Sequence, residues 1–506
     1  MAQTKIPNEL LEIGVNQIEA NSILISNDGG TGTIDSAIQN TGLGFEVFDD
    51  LTQGDYNTGI GYKTLTKLTT GSNNSSLGRA ALEAVTTGSS NTAMGFAALE
   101  VNTTADNNTA FGTSALAANT TGYANTAVGS IALDANTTGV NNVAMGRAAL
   151  TACTTGGSNV GIGLSALEAL STASNNVAVG PNALGANNAS SNVAVGASAA
   201  QASTGVGNTA VGTSALAGAN TANYNTAVGN SALASNTSGS TNVAVGRNAL
   251  NANTTGSVNT AVGMRALDVS TTGINNTSVG GDSMGSNTTG SGNTAVGVDA
   301  YKNTTASSNN VCIGYLAGDL SGMGSNNTII GTNADALQAS QSKEIVLGFE
   351  CKGVGSNYFV FGTGAGNDRV YNPYTTNASW TRVSDERYKK EIQDNTDCGL
   401  AFINDLRPVT FKWKAKSELD PNFPDYDAEK TTADHSEKLY GLIAQEVKAA
   451  MDKHNITDFG GWNSITTGDH TQQGVSQEMF VHPLIKAVQE LSAKVEELET
   501  KLNEEK

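Results

Sequence analysis

Charge and aromatic side chains are scarce in this sequence. Charged residues make up 14% of the 506 positions and aromatics 5%, both low for an ordinary enzyme. Cations are the scarcer sign: 27 Lys and Arg stand against 46 Asp and Glu, a formal net charge of −19. A nucleic-acid partner needs clustered cations to neutralise phosphates, so the charge argues against that class. The negative surplus suits a soluble surface that resists aggregation. Cysteine is also rare. Cys153, Cys312, Cys351 and Cys398 lie far apart with no CxxC pair, which argues against a zinc site or a disulfide framework and reads as small buried apolar side chains. No stretch approaches the ~20 apolar residues of a membrane helix. Met1 to Leu11 lacks a basic segment followed by an apolar run, so no secretory signal is expected, and the chain is expected to be made in a cytoplasm and to stay soluble. No histidine precedes His435, which removes the commonest acid–base and metal group from most of the chain. No metal and no cofactor are expected.

What the sequence has is a repeat. Gly is abundant, 58 residues, without collagen's every-third-residue period. The glycines closing Asn-x-Ala-Val-Gly-like units fall at 18 positions from Gly44 to Gly331; fifteen of the 17 intervals are 17 residues and two are 16. Asn stands four residues before each of the 18, as at Asn125 before Gly129, Asn142 before Gly146 and Asn242 before Gly246. Leu stands four residues after 12 of them, for example Leu116, Leu133 and Leu250. Gly and Asn disfavour helix interiors, and no 3.6-residue apolar stripe runs through the unit. The triplet before each glycine reads as a short strand, the Ala-Leu after it as a second apolar contact, and the frequent Asn-Thr-Thr-Gly as a turn.

One turn of a parallel β-solenoid per unit satisfies all three. Equivalent residues then stack at ~4.8 Å, and the shaft is roughly 85 Å long. The repeated Asn would form a ladder of side-chain amides from coil to coil. Each coil offers only about one Val or Ile, one or two Ala and one Leu, a core that looks too thin for a lone chain and invites packing around a common axis. Asp does not recur in phase, against a calcium-binding role, and Thr positions vary between units, against a flat ice-binding array. The expected role of the repeat is a rigid spacer. The strand segments resemble the head repeats of trimeric adhesins, the β-roll with Asn-Ser-Val-Ala-Ile-Gly-like units, although those units are usually shorter. That resemblance implies a homotrimer.

Composition then breaks. Residues 384–506 carry 15 Lys/Arg and 24 Asp/Glu, whereas residues 44–331 carry 7 and 13. All four histidines lie beyond the break, as do Trp413 and Trp462. The resulting division is an N-terminal attachment segment (1–39), a solenoid shaft (40–331), a cap or distal tip (332–383) and a C-terminal domain (384–506). The cap is rich in aromatics, among them Tyr358, Phe361, Tyr371, Tyr374 and Trp380, which could seal the stack or contact a receptor. Within 482–506, Leu484, Val488, Leu491, Val495, Leu498 and Leu502 alternate spacings of four and three, the a/d seam of a coiled coil. The fold class expected is mainly β, a trimeric parallel solenoid followed by an α+β domain ending in a coiled-coil helix.

Three strings open, continue and close much of that last domain: Ser384-Asp-Glu-Arg-Tyr-Lys389-Lys-Glu-Ile392, then Leu406-Arg-Pro-Val-Thr-Phe-Lys-Trp413, then Tyr440-Gly-Leu-Ile-Ala-Gln-Glu-Val447. Together they resemble the intramolecular chaperone of endosialidase family over about 123 residues. The resemblance implies a chaperone that assembles trimeric phage fibres and tailspikes and then releases itself. The matching positions put the cut between Val383 and Ser384, with Ser384 as nucleophile and Lys389 as its base. A serine hydroxyl needs such a partner, and a lysine serves only in its neutral form, which burial or nearby cations such as Lys390 and Arg387 favour. Taken alone, Ser384 with Arg387 and Lys389 reads also as a helix N-cap and solvated face, and Asp385 could orient the nucleophile or form a turn.

The function expected is therefore a structural fibre protein of a virion, made in a host cytoplasm. Expected partners are tail or baseplate proteins at the N-terminus and a host receptor, with a glycan as one candidate, without membrane insertion. Its only chemistry would be one self-cleavage. A bacterial trimeric surface adhesin is the first alternative, and it would call for a signal peptide and an anchoring barrel. A glycan-degrading tailspike is the second, and it would call for clustered carboxylates that the acid-poor repeats do not offer.

Overall fold

A computed structural model describes residues 23–25, 37–364, 369–373, 381–382, 389–419, 421, 426–433, 438–467 and 470–505. The chain divides into two compact units, Met1–Val383 and Ser384–Lys506.

The first unit is a parallel β-solenoid of 17-residue coils. Each coil gives one three-residue strand to a 23-stranded sheet. Thr126–Val128, for example, pairs with Val143–Met145 so that Thr126 faces Val143, Ala127 faces Ala144 and Val128 faces Met145. The two 16-residue coils keep this register, with Val177 on Val193 and Val193 on Thr209, so the missing residue is absorbed in the turns. Within a strand only the middle residue points inward, because side chains alternate with period two. Ala127, Ala132 and Leu133 are wholly buried and belong to one continuous core that runs from Ala37 to Val360.

That arrangement corrects the expectation of a thin core. The small residues need no neighbouring chain to bury them: Ala and Leu fill each coil from within. The residue left outside is the Val, Ile, Leu, Met or Phe that ends the strand, exposed at Val245 to 36% and at Phe111 to 53%.

The stack also exceeds the bounds drawn from the repeat. Ile23–Ile25, inside the segment assigned to attachment, pairs in parallel with Thr41–Leu43. Past Gly331, inside the segment assigned to the cap, Ile345–Leu347 and Tyr358–Gly362 continue the parallel ladder. Only then does direction reverse, through Arg369–Pro373 and Thr381–Arg382, which are antiparallel. Tyr358 and Tyr371 meet edge to face at 5.9 Å and pack on the end of the core. Tyr374 and Trp380 lie outside the described residues.

The second unit is small and α+β. Helix α1 (Leu400–Asn404), helix α2 (Ala444–Lys453) and helix α3 (Val481–Glu504) accompany two antiparallel pairs, Val409–Phe411 with Leu439–Gly441 and Trp462–Thr467 with His470–Val475. Phe402 is wholly buried and touches Phe459 at 5.5 Å and Phe480 at 6.4 Å, with Val447 and Met451 in the same cluster. Glu490 on α3 accepts a hydrogen bond from the Leu400 N–H at 2.7 Å, tying the base of α3 to the first turn of α1.

Candidate functional site

Two sets of residues carry the functional reading: the Asn and Gly rows of the shaft and the motifs of the C-terminal unit. The Asn row is a buried hydrogen-bond ladder. Asn125 Oδ1 accepts from the Asn142 backbone N–H at 3.0 Å and from Asn142 Nδ2 at 3.1 Å. Asn142 Nδ2 also donates to the Gly156 carbonyl at 2.8 Å, and Asn142 Oδ1 accepts from the Asn159 N–H at 3.0 Å. Asn242 repeats the pattern, accepting from the Asn259 N–H at 2.9 Å and donating to the Gly256 carbonyl at 2.9 Å. The amide thus holds the next coil through its oxygen and its own coil's turn through its nitrogen. The expected coil-to-coil ladder of side-chain amides is present: each step runs from side-chain oxygen to backbone N–H, and many steps add an amide-to-amide bond.

The glycines that follow turn the chain away from the strand. Gly129, Gly146 and Gly246 have φ of 135°, 138° and 134°, a region that L side chains rarely adopt. A Cβ on Gly129 would stand 2.5 Å from the carbonyl oxygen of Gly146, one coil on.

The Asn-Thr-Thr-Gly segment is a turn, as expected, and its Asn forms a second inner ladder. Asn136 is wholly buried and donates to Asn119 Oδ1 at 2.8 Å and to the Gly139 carbonyl at 3.1 Å. Asn102, Asn119 and Asn136 recur at 17 residues, a signal already present in the sequence. Glu344 was not foreseen. It stands 17 residues after Asn327 and donates its N–H to Asn327 Oδ1 at 2.9 Å. Its carboxylate Oε1 then accepts from the N–H groups of Val354 (2.6 Å) and Gly355 (2.9 Å). Burial pushes the carboxyl above its usual range, and those two donors partly offset the shift. A carboxylate has no N–H to donate to a turn carbonyl as Asn does; it accepts from the following turn instead, and the Asn row ends there. All four cysteines are buried as free thiols, and burial raises Cys153 to about 11. No group of His, Cys, Asp and Glu able to hold a metal ion occurs among the described residues.

In the C-terminal unit, two of the three strings fold onto each other. Val409–Phe411 pairs with Leu439–Gly441, setting Thr410 opposite Tyr440. Arg407 Nε donates to Glu446 Oε2 at 3.1 Å, and the second guanidinium nitrogen reaches the other carboxylate oxygen. This bidentate pair holds the Glu446 carboxyl below its usual range. Trp413 and Tyr440 remain largely exposed on the pair. Lys389 is exposed. Val383, Ser384, Asp385 and Arg387 lie outside the described residues, and with them the geometry of the expected Ser–Lys pair. The apolar seam of α3 is open: Leu484, Val488, Leu491, Val495, Leu498 and Leu502 are 46% to 64% exposed, so the seam does not pack on its own unit.

Residues 384–456 match the family described as chaperone of endosialidase. The match starts at the first residue of the second compact unit and takes in all three strings. No curated protein and no solved structure matches the chain.

Proposed function

We propose that this chain is the subunit of a viral fibre, a rigid shaft assembled as a homotrimer by its C-terminal chaperone and then freed by one cut between Val383 and Ser384. The observation that carries the proposal is the family match over residues 384–456 directly behind a β-solenoid. Two further observations support it. The division between compact units falls at the bond that the motif marks as scissile, and the α3 seam is left open for partner helices.

In the proposed reaction Lys389 takes the proton of the Ser384 hydroxyl, and the oxygen attacks the Val383 carbonyl. The C–N bond breaks as Lys389 returns that proton to the leaving nitrogen, giving an ester and a free Ser384 amine. Water then hydrolyses the ester to the Val383 carboxylate and restores the hydroxyl. The reaction happens once per chain, on no external substrate. The shaft would join other virion proteins through its N-terminal segment and meet a host receptor elsewhere. Intact-mass measurement of the expressed protein tests the cut. Wild type is expected to yield fragments 1–383 and 384–506, and Ser384→Ala to stay whole. Full-length wild-type protein after folding would refute the cleavage.

A further inference from the structure

The outer face of the strand ladder holds more information than the repeat alone gives. In every coil the last strand residue points outward and is apolar, from Leu43 through Phe111, Val195 and Val262 to Leu347 and Phe361. The first strand residue shares that face and is Thr, Ser, Val or Ile throughout the coils from Thr41 to Ile345. Neither position carries a charge in any coil, although 20 charged residues lie between residues 44 and 331. All of those fall on the turns instead. A run of this kind is unexpected on a surface that faces water alone, because soluble monomers rarely expose a contiguous apolar patch beyond a few hundred Å². Charge excluded from one face and kept on the others is the compositional mark of an interface core.

The geometry points to this face as the surface on which two further copies of the same chain pack along the shaft. Three features select that occupant over another. The face runs the length of the sheet, and two outward residues per coil exceed the roughly 20–30 residues a side of a standard interface. Its relief repeats at the strand spacing, so a parallel copy in register sets each short β-branched residue against its equivalent at matching height. From Val179 to Val296 the row is Val in every coil, a side chain small and stiff enough for close approach of sheets. The inference rests on the proposed trimeric assembly and adds where the chains meet: on the strand face, with the charged turns outward.

Single thiols on the full-length Ser384→Ala chain test it, because the four native cysteines are buried. Val245→Cys places a thiol on the strand face, and Ser238→Cys places one on an exposed turn. After the particle mass is determined, each variant is treated with a maleimide. Val245→Cys is expected to react at least tenfold more slowly than Ser238→Cys in a three-chain particle. Equal rates in a three-chain particle would overturn the placement and leave the assembly standing. A one-chain particle would overturn the assembly itself, and the placement with it. As a second arm, Val228→Lys with Val245→Lys is expected to abolish the three-chain mass, whereas Ser238→Lys retains it. A normal three-chain mass for the double lysine variant would also overturn the placement.

Discussion

At the scale of single residues, the buried amides hold the coils together. Asn142 satisfies the Gly156 carbonyl and the Asn159 N–H, both buried within the stack. Asn142→Ala strands the Asn159 N–H and leaves the Gly156 carbonyl only the weak Cys153 thiol at 3.6 Å, at roughly 1–3 kcal/mol for each group that loses its amide. Expected is a loss of about 3 kcal/mol per chain in chemical denaturation, against little change for the exposed Thr138→Ala. Backbone conformation offers the opposite case. Val258 has φ of 60° and is 55% exposed, a left-handed conformation that costs a β-branched residue roughly 1–2 kcal/mol. Asn141, Asn175 and Asn275 occupy the equivalent place with φ of 59°, 62° and 58°, and Asn tolerates that region. Val258→Asn is therefore expected to stabilise the shaft by about 1 kcal/mol, read as a raised unfolding midpoint. The Asn and Gly rows were legible because period and chemistry coincide in every coil. The left-handed Leu133, with φ of 55°, was not legible, because Leu has no preference for that region and only stacking enforces it. Glu344 escaped notice for the converse reason: it occupies the Asn place with a different chemistry.

At the scale of elements, the 17-residue repeat was enough to identify the strands, and apolar spacings of four and three were enough to identify α3. The direction in which each strand faces was harder to read. Counting the terminal Val as core assigned the interior to the wrong residue, because a three-residue strand has only one inward position. The paired strands of the C-terminal unit left no comparable trace, since each occurs once, and only their motif strings could be read. Helix α3 illustrates what an element leaves unfinished. Its base is anchored at Glu490 by the Leu400 N–H, and Pro483 and Ala487 are buried against its own unit. Every residue from Leu491 to Glu505 is exposed. A helix with an uncovered heptad seam is marginal in water by itself, and the proposed assembly would supply partner helices to cover it. Leu491→Glu with Leu498→Glu places like charges in that seam. In the Ser384→Ala background the yield of three-chain particles is expected to fall at least tenfold, measured by light scattering on the soluble fraction. An unchanged yield would show that α3 serves its own unit only.

At the scale of the whole molecule, the repeat creates a difficulty that the C-terminal unit is placed to solve. Successive coils are nearly interchangeable, and from Val179 to Val296 the outer row is uniform. Two chains displaced by one coil would therefore make almost the same contacts, and little in the middle of the shaft discriminates against slippage. Register has to be imposed from an end, before the long-range pairing between chains closes. In the proposed assembly a chaperone fused behind the last coil would do so by holding three C-termini level, and its proposed removal would leave the shaft kinetically trapped. Folding and persistence then have different causes, and the two can be measured apart. Shafts cut at Ser384 are expected to resist denaturant for as long as uncut Ser384→Ala particles do. After complete unfolding and dilution, the uncut chains are expected to recover three-chain particles. The isolated 1–383 chains are expected to give aggregates or mixed lengths by electron microscopy. Recovery of uniform three-chain shafts from 1–383 alone would mean that the repeat sets its own register and that the chaperone has some other task.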